Sequence, residues 1–139
     1  MTEAERLFGD EHVRRYRETD GEVGHIWKEG STVLLLTTTG RRSGKATTTP
    51  LIYAQDGDRY VIIASKGGAP ENPGWYRNLE KTPEAELQVE DQVFPARART
   101  ASGAERELLW RKANEVWPHY SEYAEKTDRE IPVVVLERL

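Results

Sequence analysis

The sequence predicts an α+β fold that is mainly β: a small antiparallel barrel of about six strands with helices packed on its outside. Three observations carry this reading. Apolar, β-branched runs recur along the chain, and several are joined by turn sequences too short to hold a crossover helix. Helical spacing beyond the N-terminus is confined to the stretches after Asn72, Ser102 and Pro118. The strand–helix alternation of a doubly wound parallel sheet is missing. At 139 residues the chain fits one domain, large enough to bury roughly 70% of its unfolded surface.

Taken in order, the opening "MTEAERLFGDEHVRRYRETDG" lacks the apolar centre of a secretory signal. Leu7, Phe8 and Val13, interspersed with Arg, form an amphipathic helix that packs or is solvated; a second reading lays it on a membrane surface. Val33 to Thr38 is a strand, "TGRRSGK" a turn, and "TTTPLIYA" the partner strand, with Pro50 marking an edge or bulge. Asp56-Gly57-Asp58 turns the chain into the strand "RYVIIAS". After the loop "KGGAPENPG", Asn72 caps and Pro73 opens a short helix through "WYRNLEK", which Pro83 ends. "AELQVE" and "VFPARART" pair across Asp91-Gln92. Ser102 and Glu105 read as a capping box for a helix whose buried face is Leu108, Leu109, Ala113 and Val116. Pro118 interrupts it, "HYSEYAEK" continues as further helical turns, and "IPVVVLERL" is the last strand.

Composition removes whole classes of function. With 24 acidic and 20 basic side chains the net charge is −4, which opposes general nucleic-acid binding. The absence of cysteine excludes disulfides, thiol nucleophiles and thiolate metal sites and fits a reducing cytosol. No apolar run approaches the ~18 residues of a membrane span. His12, His25 and His119 are scattered, without helix-spaced pairs, so no metal site is expected. No G-x-S-x-G elbow supports a serine hydrolase.

One local imbalance remains. Between Glu29 and Asp56 there is no carboxylate, yet the turn Gly40 to Lys45 gathers Arg41, Arg42 and Lys45 among glycine and serine. Such a turn is either a solvated hairpin tip or an anion site built from backbone N–H groups and guanidinium. It lacks the Walker A pattern. Lys66, at a strand end before two glycines, could share a barrel rim with it. "NPGWYRNL" adds a helix N-terminus and the flat faces of Trp75 and Tyr76, whose plainer role is packing. Tyr120 and Tyr123 share one helix face and serve either packing or proton donation. A cationic rim, planar aromatics and hydroxyls describe a pocket for a flat anionic cofactor that carries the chemistry itself.

Three blocks in order, "LLLTTTGRRSG", "ASKGGAPENPGWYRNL" and "YSEYAEKTDREIPVVVLER", resemble the deazaflavin-dependent nitroreductases, also described as coenzyme F420-dependent quinone reductases. The resemblance runs from about Ile26 to the C-terminus. It implies, at 26–139, a split β-barrel close to that of FMN-binding oxidases, which leaves 1–25 as the N-terminal helical segment read above. It further implies that Arg41, Arg42, Ser43 and Lys66 hold the phosphate and carboxylate tail of F420. Thr48, Thr49, Pro50, Leu51, Ile52, Ile63, Ala64 and Ser65 line the pocket, and Gly74, Trp75, Tyr76, Arg77 and Asn78 cover the deazaflavin ring. Trp117, Tyr120 and Tyr123 meet the acceptor, with Tyr120 the first and Ser65 the second candidate for the catalytic donor. The chain departs from the family pattern at Thr47, where relatives often carry Arg, and at Trp117, where some carry Tyr. The implied reaction is hydride transfer from reduced F420 to a quinone, nitroaromatic or α,β-unsaturated carbonyl. The expected setting is cytoplasmic, as a monomer or weak dimer, or at the inner membrane face if the N-terminus makes peripheral membrane contact. Two alternatives are an FMN-binding split-barrel reductase, whose single phosphate meets the same cations, and a non-enzymatic barrel binding single-stranded nucleic acid.

Overall fold

A computed structural model describes residues 2–139. Two short helices, α1 (Glu3–Arg6) and α2 (Gly9–Glu18), precede β1 (Val33–Thr39), β2 (Ala46–Ile52), β3 (Ala54–Asp56) and β4 (Arg59–Ile63). Then follow α3 (Gly74–Lys81), β5 (Glu84–Val89), β6 (Gln92–Thr100), α4 (Gly103–Val116), α5 (His119–Glu125) and β7 (Val133–Arg138). The strands form one seven-stranded antiparallel sheet in the order β2-β1-β5-β6-β7-β4-β3, curled into a half-barrel. Residue 1 of the expected 1–25 segment lies outside the described residues.

The two edge strands are halves of one run. "TTTPLIYA", read from sequence as a single strand, splits at Tyr53: β2 pairs with β1 and β3 with β4. Tyr53 N donates to Thr32 O (3.0 Å) and Thr32 Oγ1 donates to Tyr53 O (2.9 Å), which fixes the corner. This is why the strand count rises to seven. Pro50 lies on the edge strand β2, where its missing N–H costs no ladder bond.

Period-two alternation serves two cores from the same strands. Leu34 and Leu36 of β1, Leu87, Phe94, Ala96, Val134 and Leu136 face the inside of the curl, closed by Trp75, Tyr76 and Leu79 of α3. Their neighbours Val133 and Val135, with Val61 and Ile63, face outward against Leu109 and Ala113 of α4 and Tyr120 of α5. On β1 the outward residues Val33 and Leu35 meet Val13 and Tyr16 of α2. The Tyr16 hydroxyl donates to Val33 O (3.0 Å) and accepts from Glu90 N (2.8 Å), pinning α2 to the sheet.

Three local expectations are corrected. Asn72 does not cap α3: Pro73 occupies that position and the Asn72 amide oxygen instead accepts from Arg129 (2.8 Å). Ser102 stands at the N-cap of α4 but makes no side-chain cap bond, and the other half of the box is lost because the Glu105 carboxylate is drawn to Arg99 and Arg59. Leu108 is exposed; the buried face of α4 turns through Leu109 and Ala113.

That capture of Glu105 is part of an ion-pair chain tying α4 to the sheet. Lys112 pairs with Asp56 (2.6 Å), Asp56 with Arg59, Arg59 with Glu105 (3.3 Å), and Arg99 with both Glu105 (2.6 Å) and Glu137 (3.0 Å). Hydrogen bonds from Arg99 hold the Glu105 carboxyl down, from its ordinary 4.5 to about 2. A carboxyl depressed in the fold stabilises fully above its unfolded value, and that contribution fades as pH falls from about 4.5 towards 2. Glu105→Gln should therefore flatten the fall of melting temperature between those pH values, by a small amount because the pairs are half-exposed. Equal slopes for both proteins would remove Glu105 from acid stability.

Candidate functional site

Two cavities open on one side of the half-barrel and meet at shared wall residues. The larger, about 610 Å³, is walled by Thr49, Pro50, Leu51 and Ile52 of β2, Ile63 of β4, and Ser65 and Lys66 after it. Trp75 of α3, Trp117, and Tyr120 and Tyr123 of α5 complete that side. The smaller, about 430 Å³, is walled by Gly40, Arg41, Arg42, Ser43, Thr47, Thr49, Gly74, Trp75 and Asn78. Thr49 and Trp75 belong to both.

The smaller cavity is cationic and hydroxyl-rich. It sits between the β1–β2 turn and the first turn of α3, which carries no side-chain cap, leaving its first N–H groups for a ligand. Arg41 is built into this wall. Its backbone N–H and Nη1 both donate to Asn78 Oδ1 (3.1 and 3.0 Å), Nη1 also reaches Gly74 O (3.4 Å), and Lys81 donates to its carbonyl (2.8 Å). Asn78 in turn donates to the buried Thr38 (3.0 Å). Arg42 and Ser43 are exposed at the rim. With no carboxylate between Glu29 and Asp56, local counter-charge is absent from the turn. Thr47, one of the departures from the family pattern, contributes a hydroxyl where a further Arg would add charge.

The larger cavity is mostly apolar with a few polar groups. The Tyr120 ring is 6% exposed and stands edge-on to Tyr123, with ring centroids 6.2 Å apart. Burial pushes its phenol well above the ordinary value, so it stays protonated and has a hydrogen to offer at neutral pH. Trp117 Nε1 donates to the Tyr123 hydroxyl (3.3 Å), and Trp117 stacks on Trp27 at 5.9 Å. Tyr120 itself has no protein hydrogen-bond partner among the described residues, and its oxygen is not sealed from the cavity.

The loop after β4 is held in an unusual shape. Lys66, Gly67 and Gly68 all have positive φ (48°, 62° and 85°), a strained choice for a lysine. A Cβ on Gly68 would lie 2.7 Å from Tyr123 O, so only glycine lets this loop touch α5. Arg129 staples the loop. Its Nε donates to Ala69 O (2.9 Å), Nη2 to Ser65 O (2.7 Å), and Nη1 to Ala64 O (3.2 Å) and Asn72 Oδ1 (2.8 Å).

The sequence-predicted residues thus divide. Arg41, Arg42, Ser43, Gly74 and Asn78 come together in the smaller cavity, and Pro50, Leu51, Ile52, Ile63, Ser65, Trp117, Tyr120 and Tyr123 in the larger. Lys66 lines the larger cavity, not the cationic one, and its ammonium pairs with Glu71 (2.8 Å) at the surface. Thr48, Ala64, Tyr76 and Arg77 line neither. Thr48 instead bonds Thr37 (2.7 Å) and Arg17 (2.9 Å), Ala64 is core, and the Tyr76 hydroxyl pairs with Thr100 (2.8 Å). Sequence reasoning missed Phe8, Gly9, His12 and Trp27, which bring the N-terminal segment into the wall of the larger cavity. The available signal was a tryptophan and an apolar N-terminal pair with no assigned strand or helix partner.

An apolar chamber adjoining a cationic groove fits a flat ring carrying an anionic tail, as F420 is. Comparison with known proteins agrees. A sequence model of the F420H(2)-dependent quinone reductase family matches residues 9–138. The F420H(2)-dependent quinone reductase Rv1261c of Mycobacterium tuberculosis is 42% identical over 130 residues, covering 91% of this chain and 87% of that protein. A solved F420-H2 dependent reductase, FDR-A, is 44% identical and covers 76% of this chain and 93% of that chain, with a TM-score of 0.71. A chain described as a domain-swapped dimer is 41% identical and covers 90% of this chain and 96% of its own, with a TM-score of 0.72. Fold, cavity chemistry and kinship over nearly the whole chain lead to one conclusion: this protein belongs to the F420H(2)-dependent quinone reductase family.

Proposed function

We propose that this chain reduces a quinone at the expense of reduced F420, and that nitroaromatics and α,β-unsaturated carbonyls are further acceptors. The observation that carries this is the meeting of an apolar cavity and a cationic groove at Thr49 and Trp75. When bound, reduced F420 supplies a hydride. The family to which the chain belongs makes the FMN alternative unnecessary, and the net charge of −4 continues to oppose the nucleic-acid one.

In this reading Arg41, Arg42, Ser43 and the open turn of α3 hold the anionic tail, and Trp75, at the junction, covers a flat ring. Trp27, Trp117 and the apolar residues of β2 exclude water. Tyr120 donates a hydrogen bond to the acceptor oxygen as negative charge develops there, with the Ser65 hydroxyl as second donor. The segment 1–25 serves the domain at 26–139 by closing one wall of its cavity. Phe8, 81% exposed at that wall, supports a membrane-surface role for the segment. No helix among the described residues is long and apolar enough to cross a membrane. A monomer or weak dimer suits the design, and the related chain described as a domain-swapped dimer supports the second of these.

Titration with F420, followed by tryptophan fluorescence, tests the binding reading directly. Wild-type protein should change emission through Trp75, and Arg42→Ala should weaken binding about tenfold, with affinity falling as salt is added. Unchanged affinity in Arg42→Ala would return the turn to a solvated hairpin tip. Turnover of a quinone, a nitroaromatic and an enone by the same protein then ranks the acceptors.

A further inference from the structure

The roles assigned above leave one buried polar side chain of the larger cavity unused. His12 of α2 is 2% exposed and lines that cavity. Its ring lies 5.9 Å from Trp27 and 6.5 Å from Tyr16, both centroid to centroid. Nε2 is 2.9 Å from Gly24 O. A carbonyl oxygen only accepts, so Nε2 must carry the hydrogen.

Burial lowers the basicity of the ring, so imidazole is the form present at neutral pH. A neutral ring protonated on Nε2 has a bare lone pair on Nδ1. Gly24 packs against the Cδ2–Nε2 edge, since a Cβ there would meet those atoms at 3.1 Å. Nδ1 lies on the other edge. It has no hydrogen-bond partner among the described residues, yet it is not sealed in: the one buried, unpartnered side-chain nitrogen or oxygen among them is Arg106 Nε. His12 is therefore a polar residue with one free acceptor on a stretch of cavity wall otherwise made by Phe8, Trp27 and Val33. Tyr120, with a hydrogen to give, lies on the same cavity.

We propose that His12 Nδ1 is a specificity-determining contact that accepts a hydrogen bond from the hydroxyl of a phenolic ring, so that the cavity selects hydroxylated aromatics, the reduced form of a quinone included. This rests on reading the larger cavity as the acceptor's. Tyr120 can donate to a quinone oxygen, whereas a bare Nδ1 can engage only a ligand that brings its own hydrogen. His12 thus distinguishes the two redox forms of one ring and favours retention of the hydroxylated product.

A redox-stable probe separates this contact from cofactor binding. 1-Naphthol and 1-methoxynaphthalene have the same ring system, but only the first can donate to Nδ1. Wild-type protein without cofactor should bind 1-naphthol about 5- to 10-fold more tightly, the worth of one neutral hydrogen bond. His12→Phe should abolish that preference while keeping the ring contact. In ¹⁵N-histidine-labelled wild-type protein, the unprotonated Nδ1 resonance of His12 should shift with 1-naphthol and stay in place with the ether; this reading needs no variant to fold. Equal affinities in wild type, a preference surviving in folded His12→Phe, or an unmoved Nδ1 resonance would each overturn the proposal. F420 titration of the same sample keeps the two readings apart. Cofactor binding without phenol selectivity defeats only the His12 contact, and phenol selectivity without cofactor binding defeats only the cofactor reading.

Discussion

Tyr120→Phe should lower turnover by about 10²-fold while leaving F420 affinity and melting temperature close to wild type. The magnitude follows the loss of one preorganised donor to a developing oxyanion. The charge this phenol meets exists only as the hydride arrives, so its contribution falls on kcat and not on binding. Stability is spared for a structural reason. The Tyr120 oxygen has no protein partner among the described residues, so its removal orphans no buried group there, and the ring keeps its contacts with Tyr123 and Trp110. The raised pKa adds a second signature: the donor should not titrate across the neutral range, so kcat carried by it should show no loss up to mildly alkaline pH. Steady-state reduction of a quinone by reduced F420, with cofactor affinity measured in parallel, decides the matter. Full turnover in Tyr120→Phe would leave Tyr120 a packing residue and pass the donor role to Ser65.

Arg129→Ala should be strongly damaging although it removes no core side chain, costing about 2–4 kcal/mol of stability. The guanidinium satisfies three carbonyls and the Asn72 amide at once, and Ala64 and Ser65, whose oxygens it holds, are buried. Lysine offers one nitrogen where four contacts diverge from three, so Arg129→Lys should recover only part of the loss. The effect should reach the site, because the stapled loop carries Ser65 and the strained Lys66 and leads into α3 with Trp75. Thermal unfolding and F420 titration should both worsen in Arg129→Ala. A variant with normal stability and normal F420 affinity would show that the loop keeps its shape through Gly68 and α5 alone.

The fold was legible wherever it followed from local pattern. Apolar runs such as Val33 to Leu36 and Val133 to Leu136 mark strands, and they are apolar throughout because each face meets a different core. Pro83 and Pro118 mark helix ends because no tertiary contact can restore their missing N–H groups. What stayed hidden depends on partners distant in sequence. Tyr53 looks like any strand residue until Thr32 turns the chain there. Asn72 and Ser102 look like caps, but Arg129 claims the first, and Arg99 and Arg59 claim the Glu105 expected to complete the box of the second. In the site, Arg41, Ser65, Trp75 and Tyr120 stood in recognisable blocks. His12 and Trp27 did not, since the N-terminal wall exists only once Tyr16 has docked α2 on β1.

The place of β7 in the sheet bears on how the protein is made. β7 lies between β6 and β4, and Val133 to Leu136 are buried on both faces. During synthesis the chain through α5 can assemble β2-β1-β5-β6 as one ribbon and β4-β3 as another, tethered at Tyr53, but nothing joins their inner edges. Each ribbon then presents a long row of unpaired backbone groups to its surroundings. Closure awaits a strand whose partners were synthesised some 35 to 75 residues earlier, a pairing of high loop-closure cost. The nascent protein therefore passes through a stage in which its central seam is open to other strands, and a related chain that exchanges elements between two copies is one outcome such an opening permits.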